Sequence, residues 1–354
     1  MRTAGMAANT KPPKPVPPSE AQIFLPADHY LHLGAPTEWW WHTGTLKAKD
    51  RLFGFEINAA SYPMWNVAFT QIMLTDVVKA RHYQRTTVYV PPKQVNLSTW
   101  AEHDPHKNWH VGLSGPEGSV TMDAASAHPT KNMAIRAKTT DQTTGMPIAF
   151  DLTMSQEGPP LLVWGTGAHK MGGDGPPLTT TNFYYSLTRI AATGTVTLGD
   201  ESFPVSGRTW MDHEYGRFTE GGGGLVKWIL QAIQLENGWS LSNFLIVDEG
   251  MPKLGHRSKS LVTLLAPKGD LYFVDSFMTP TGRTWTSPDS KNTYFLEFKV
   301  EVPSFDAVLT VTSSVDGQEF PSKTGPSVYE GVASAVGSFK GQQAHGTAWN
   351  EQAL

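Results

Sequence analysis

Ten consecutive residues, Gly207-Arg208-Thr209-Trp210-Met211-Asp212-His213-Glu214-Tyr215-Gly216, hold the densest chemistry in this sequence. Asp212, His213 and Glu214 are adjacent ionisable side chains, bracketed by aromatic ones. The residues before them (195–205) are strand-like, and four glycines (221–224) follow soon after. In an extended strand, side chains alternate between two faces. Trp210, Asp212 and Glu214 then share one face, and Met211, His213 and Tyr215 the other. Two carboxyls beside a Trp lose solvation and repel each other, which raises a carboxyl pKa and makes an acid. Asp, His and Glu at a strand end can equally serve to tie down backbone groups, and spacing alone does not choose between the two readings.

Further candidates flank this run. Glu38 precedes Trp39, Trp40 and Trp41, and it reads either as a pocket acid or as a buried partner of other polar groups. On a strand, Trp39 and Trp41 face one way and Trp40 the other, so one set faces a pocket and one a core. His42 can act as a donor. Tyr184 and Tyr185 point oppositely, so only one of them, taken here as Tyr185, is expected at a site. Trp228, Gln231 and Gln234 follow on the next strand as candidate substrate contacts. His103, His106 and His110 have a metal-like spacing, with His29 and His32 as a second pair. Both groups lie in loop-like sequence with no helix to fix them, so no metal is expected. There is no Gly-x-Ser-x-Gly nucleophile turn and no nucleotide-binding fingerprint. No cofactor is therefore expected.

The elements that position these residues read as β. Residues 38–46, 52–60, 68–78, 109–113, 120–124, 133–138 and 148–154 are short, rich in β-branched or aromatic residues, and separated by Gly, Pro, Asn or Asp. Residues 182–186, 193–198, 239–247, 260–265, 271–277, 294–302 and 308–313 continue the pattern. Many short strands with turn signals predict a sandwich or barrel. Asn237-Gly238 and Asp316-Gly317 are hairpin signals. Residues 165–177 are rich in Gly and Pro and read as a long loop, a lid or a linker. Residues 1–22 are rich in Pro and Lys and read as a disordered arm. The rest divides into 23–194 and 195–354, without a clear residue-level repeat.

The chain has 354 residues, enough for two domains or one large β domain, and its 39% apolar content supplies a core. A net charge of −4 with no basic stripe argues against nucleic acid as a partner. No stretch approaches the roughly 18 apolar residues of a membrane helix, so no stable membrane insertion is expected. The absence of Cys excludes disulfides, thiol catalysis and Cys metal sites. No apolar run follows Arg2 and Lys11, so the expectation is a cytoplasmic protein if Met1 is the natural start, and a secreted one if the sequence is truncated.

Four stretches taken together resemble one family: Thr37-Glu38-Trp39-Trp40-Trp41-His42-Thr43-Gly44-Thr45-Leu46, Tyr184-Tyr185-Ser186-Leu187-Thr188-Arg189, the Gly207 to Gly216 run, and Tyr329-Glu330-Gly331. Their order and spacing are similar to the AttH-like and carotenoid 1,2-hydratase family, called lipocalin-like, over about residues 27–350. The resemblance implies an all-β fold of two tandem lipocalin-like barrel or sandwich domains, with a ligand pocket in or between them. It implies several activities: hydration of a terminal alkene in some members and cyclisation of polyenes in fungal ones. The hydratase members look more like Asp-His-Asn where this chain has Asp212-His213-Glu214, and the strand after it carries Gln231 and Gln234 but no Asp. The leading expectation is accordingly a cofactor-free biosynthetic enzyme that cyclises or isomerises an apolar polyene, polyketide or terpenoid. Its catalytic candidates are Asp212, His213, Glu214 and Glu38. Its substrate contacts are Trp39, Trp41, Tyr185, Trp210, Tyr215, Trp228, Gln231 and Gln234. The alternatives are a hydratase or dehydratase with Asp212 or Glu214 as general acid, and a carrier of a hydrophobic ligand.

Overall fold

The structure, a computed structural model, describes residues 13–218, 227–247, 252–322 and 327–354. The run of glycines at 221–224 and residues 1–12 of the expected arm lie outside the described residues. Almost all regular structure is strand. The first sheet contains β1 (Thr37–Ala48), β2 (Arg51–Tyr62), β3 (Val67–Asp76), β4 (Arg81–Tyr89), β5 (Trp109–Ser114) and β6 (Gly118–Ala124). It continues through β7 (Met133–Thr140), β8 (Pro147–Gln156), β9 (Leu161–Leu162), β10 (Ala168–Lys170), β11 (Thr181–Leu198) and β12 (Glu201–Gly216). Their order across the sheet is β4-β3-β2-β1-β12-β11-β8-β7-β6-β5, with β9 and β10 against β11.

The second sheet contains β13 (Trp228–Leu235), β14 (Ser240–Ile246), β15 (Ser258–Leu265), β16 (Leu271–Thr286) and β17 (Thr293–Val302). It ends with β18 (Ala307–Ser313), β19 (Glu319–Phe320), β20 (Val328–Phe339) and β21 (Gln342–Ala353). The order β18-β17-β16-β15-β14-β13-β21-β20 is closed by pairing of β18 with β20, so this sheet is a barrel, with the two-residue β19 added against β20. The all-β, two-barrel architecture expected from sequence is what the chain adopts. The division expected at residue 195 falls inside β11, which runs unbroken through it. The sheets change over between Gly216 and Trp228, because β11 and β12 pair within the first sheet from Asn182 and Gly216 to Leu198 and Glu201, with one break between Leu187 and Ile190.

Burial along the strands locates the contact between the barrels. β7 alternates buried and open positions, as expected of a barrel wall with one wet face. β2 and the last eight residues of β12 are buried on both faces. Their inner face packs the first barrel's core, with Trp40, Phe53, Phe55, Ile57, Leu187 and Met211. Their outer face packs against the second barrel through Met73, Tyr184 and Trp210 on one side and Ala232, Val332 and Trp349 on the other. The approach is close: a Cβ on Gly54 of β2 would lie 2.6 Å from the Val332 side chain of β20.

Three connecting segments differ from the sequence expectations. Part of the expected arm is docked: Val16 N donates to Leu271 O at 2.8 Å and Gln22 N to Thr166 O at 2.8 Å. Prolines have little to bury but fit this path, which is extended at Pro17 and Ala21 around a 3₁₀ turn at Pro18–Glu20 and touches both barrels. The loop at 165–177 is pinned at its start, where Trp164 N donates to Thr263 Oγ1 at 3.0 Å and β10 pairs with β11. Asp316-Gly317 does not close a hairpin between β18 and β19, since both strands pair with β20. Asn237-Gly238 does turn β13 into β14, with Gly238 at φ +87°.

Candidate active site

Strand alternation sorts the expected site residues onto two sides of one sheet. β12 lies between β1 and β11, with Asp212 opposite Trp41 and Ser186, and Glu214 opposite Trp39 and Tyr184. All of these face the second barrel. Asp212 Oδ1 accepts from Ser186 Oγ at 2.5 Å and from Trp210 Nε1 at 2.8 Å. Glu214 Oε1 accepts from Asn182 Nδ2 at 2.6 Å. Glu56 of β2 is on the same side and accepts from Asn58 Nδ2 at 3.2 Å. The second barrel answers with two more carboxyls: Glu330 accepts from Trp349 Nε1 at 2.6 Å, and Glu351 accepts from Trp228 Nε1.

These five carboxyls have little water and one another's charge for company. Burial pushes Asp212 up to about 6, against the bonds from Ser186 and Trp210. Burial, reinforced by Asp212, pushes Glu351 up to about 7. Glu214 is driven well above the carboxylate range by burial, then by Asp212 and Glu351. Glu56 and Glu330 are driven up by burial and then by Glu351. The face thus holds neutral acids and carboxyls poised near neutrality side by side. Trp41 Nε1, Glu56 Oε2 and Glu330 Oε1 are buried without a well-formed hydrogen bond among the described residues. Buried polar atoms are normally paired, and these three groups meet one another: hydrogen bonds from Trp41 and Glu330 to Glu56 work against the upward push of burial on its pKa.

An aromatic path leads to this cluster. Trp65, 44% exposed, stacks on Tyr62 with ring centres 5.0 Å apart, and Tyr62 stacks on Trp39 at 5.8 Å. Trp39 meets Phe218 edge-on at 5.1 Å, and Phe218 meets Trp228 at 5.6 Å. Trp228 is the residue that bonds Glu351. A wall of this kind suits a flat apolar or conjugated molecule.

The inner face of the same strands carries a different constellation. His213 stacks on Trp40 with ring centres 4.5 Å apart. Its Nε2 is 3.0 Å from Glu38 Oε1, and its Nδ1 is 3.2 Å from Tyr185 Oη. Tyr185 Oη also meets His29 Nδ1 at 2.6 Å. Glu38 receives His32 N at 2.9 Å on Oε2 and His32 Nδ1 at 2.8 Å on Oε1. Tyr215 stacks on His32 at 3.5 Å. Burial alone would raise Glu38, but His32 and His213 hold it below the usual carboxylate range. Burial likewise opposes the charge on His32, yet Glu38 and Asp28 raise it to about 9. Burial lowers His213 and, more strongly, His29.

The structure therefore brings together Asp212, Glu214, Trp39, Trp41, Trp210 and Trp228 between the barrels. It turns Glu38, His213, Tyr185 and Tyr215 into the first barrel instead, because they occupy the opposite parity on their strands. His42 also points inward, with its pKa lowered to about 3 by burial and both ring nitrogens without a hydrogen-bond partner among the described residues. Gln231 lies inside the second barrel and accepts from Asn243. Gln234 spends its amide on Thr188 O at 2.6 Å and Thr209 O at 3.0 Å, so it clamps the barrels and has no N–H left for a substrate. His103, His106 and His110 do not converge with one another; His110 pairs with Asp123 at 2.7 Å. Tyr184, set aside in favour of Tyr185, is the member of that pair on the carboxyl face. Glu56 and Glu351 carried no sequence signal beyond strand parity, and Glu330 only its place in Tyr329-Glu330-Gly331.

Comparison with known proteins bears on the family and the fold. The family model described as AttH-like matches residues 15–347. Dehydratase asqC of Emericella nidulans is 23% identical over 249 residues, which are 68% of this chain. The chain spans 62% of the length of that curated relative. A solved structure assigned as AttH from Nitrosomonas europaea superposes with a TM-score of 0.73 at 19% identity, covering 96% of this chain and 98% of the other. Kievitone hydratase from Nectria haematococca superposes with a TM-score of 0.68 at 13% identity, covering 98% of each chain. At these identities the two structures speak to the fold. Among the described residues, no helix is long and apolar enough to cross a membrane.

Proposed function

The chain belongs to the AttH-like family, and on that premise we propose that it is a hydro-lyase acting on an apolar, conjugated substrate held between its two barrels. The observation that carries this reading is the set of five buried or half-buried carboxyls, Asp212, Glu214, Glu56, Glu330 and Glu351, contributed by both barrels to one aromatic-walled face. The dehydratase named among its relatives is consistent with it.

Elimination of water needs a base for a C–H proton and an acid for the departing hydroxyl. Asp212, near 6, is ionised at neutral pH and takes the proton. The C–H electron pair forms the C=C bond as the C–O bond breaks. Glu351, near 7 and less fully buried than the other four, protonates the leaving oxygen from its place beside Trp228. Glu214 stays neutral and donates a hydrogen bond to a substrate carbonyl or to developing negative charge, a role that suits a carboxylic acid kept protonated by burial. Hydration is the same path reversed. A positioned acid or base contributes about 10²–10⁴ in rate.

A second reading, cyclisation or isomerisation, draws on the aromatic wall, which could fold a polyene into a reactive conformer. A pericyclic cyclisation uses no base and leaves the paired acid and carboxylate without a task, so this reading ranks second. The test is native mass spectrometry of Asp212→Asn and Glu351→Gln after incubation with an extract of producing cells. Retained binding of the compound with turnover reduced at least about 100-fold supports the hydro-lyase. Undiminished turnover in both variants rejects it.

A further inference from the structure

The inner face of β1 and β12 carries chemistry that the hydro-lyase reading does not use. The geometry points to a divalent metal site in the first barrel, formed by His32 Nδ1, Glu38 Oε1 and His213 Nε2, that takes a first-row transition ion of the zinc type. The three donor atoms all lie within 4.8 Å of one another. Among the described residues, no other group of three His, Asp or Glu side chains gathers in this way. In a tetrahedral zinc site with bonds of about 2.1 Å, neighbouring donors sit about 3.4 Å apart. His32 Nδ1 and His213 Nε2 are 2.8 and 3.0 Å from Glu38 Oε1. An opening of about half an ångström, with the ion replacing the shared protons, converts one arrangement into the other.

The surroundings are those of ligands rather than of a chance cluster. A metal-bound imidazole usually hands its other ring nitrogen to a fixed partner, which sets its tautomer and orientation. His32 Nε2 is 3.4 Å from Asp28 Oδ1, and His213 Nδ1 is 3.2 Å from Tyr185 Oη. The backbone N of His32 donates to Glu38 Oε2 at 2.9 Å, which turns Oε1 toward the two rings. Tyr215 and Trp40 stack on the two imidazoles and hold their planes. Glu38 and His213 are buried, whereas His32 is 16% exposed and gives the ion a way in. Two imidazoles and one carboxylate suit a borderline divalent ion and do not suit Ca²⁺ or Mg²⁺, which prefer oxygen. Three protein donors leave a position for water.

The test uses the full chain, stripped with a chelator, then dialysed against Zn²⁺ and analysed for bound metal, with Co²⁺ as a spectroscopic probe. We expect one Zn²⁺ per chain and the intense visible bands of tetrahedral Co²⁺. His32→Ala, at the most accessible ligand, and Glu38→Gln should each weaken binding at least about 100-fold while circular dichroism remains that of the parent. Asp28→Asn, which removes only the outer partner of His32, should weaken it about 10-fold. A triple variant of the exposed His103, His106 and His110 should bind as the parent does. Failure of the parent to retain Zn²⁺, or equal retention by folded His32→Ala, overturns the site and leaves a hydrogen-bonded trio. Neither result depends on whether the carboxyl face between the barrels is catalytic.

Discussion

At the scale of single residues, the account turns on carboxyls forced to stay near neutrality. Asp212 ionises at about 6 in the fold, against 3.8 when free. Between those values the folded chain holds a proton that the unfolded chain has lost, so stability falls as pH rises, and above 6 the full cost of roughly 3 kcal/mol is present. Asp212→Asn keeps an acceptor for Ser186 and Trp210 and removes that cost. The expected result in urea melts is a gain of roughly 1–3 kcal/mol at pH 8 and almost none at pH 4. An equal effect at both pH values would place the Asp212 titration elsewhere. Turnover should follow a narrow bell, losing activity below about 6 as Asp212 takes a proton and above about 7 as Glu351 loses one. A rate that is flat from pH 5 to 9 contradicts these assignments. The alternation of Trp210, Asp212 and Glu214 against His213 and Tyr215 was legible in sequence because a strand has period two. Which face turned toward the second barrel was not, because that depends on strands that lie far away along the chain.

At the scale of elements, two local devices position the site. β11 carries one extra residue against β12 between Leu187 and Ile190, a bulge that disrupts the ladder at Thr188 and Arg189. Thr188 O is thereby available to Gln234 of the second barrel, and Arg189 reaches Gly238 O and Ala266 O there. Nothing in Tyr184-Tyr185-Ser186-Leu187-Thr188-Arg189 marks a bulge, since its signal is the missing partner on the next strand. The second device is Gly207, where a Cβ would lie 2.0 Å from Thr45 O of β1. Gly207→Ala should force β12 off β1 and cost about 1–3 kcal/mol, read as a lower urea midpoint with weaker near-ultraviolet dichroism from the Trp39–Trp41 strand. An unchanged midpoint would mean that the two strands have slack. The structure also reveals a repeat that the residues hide. Tyr62-Pro63-Met64-Trp65-Asn66 and Val302-Pro303-Ser304-Phe305-Asp306 each make a 3₁₀ turn with Pro at its start and a left-handed Asn or Asp at its end. Only the backbone requirement is shared, so side-chain comparison misses it.

At the scale of the molecule, the site exists only while the barrels touch. Three of its carboxyls come from the first and two from the second, and burial is the largest cause of the upward shift at each. The expectation of two similar β halves was sound in kind. The division near 195 was misplaced because the sequence of β11 looks no different on either side of it. Gly54→Ala tests the interface directly, since the new methyl meets Val332. The expected outcome is a loss of about 1–3 kcal/mol, with Glu214 and Glu351 moving back toward ordinary carboxyl values by ¹³C NMR as water enters. Carboxyl values that stay raised in this variant would show that burial within each barrel suffices and the contact does not matter.

The central claim, that paired acids between the barrels add or remove water, is tested most directly by isotope. The protein is incubated with a producing-cell extract in H₂¹⁸O, and the bound and released compounds are weighed. The account predicts a product that differs from its precursor by one water, with solvent ¹⁸O in the hydrated partner, and no such conversion in Asp212→Asn. A product of unchanged mass with no ¹⁸O, formed equally by parent and variant, contradicts it and leaves shape-driven cyclisation as the chemistry of this face.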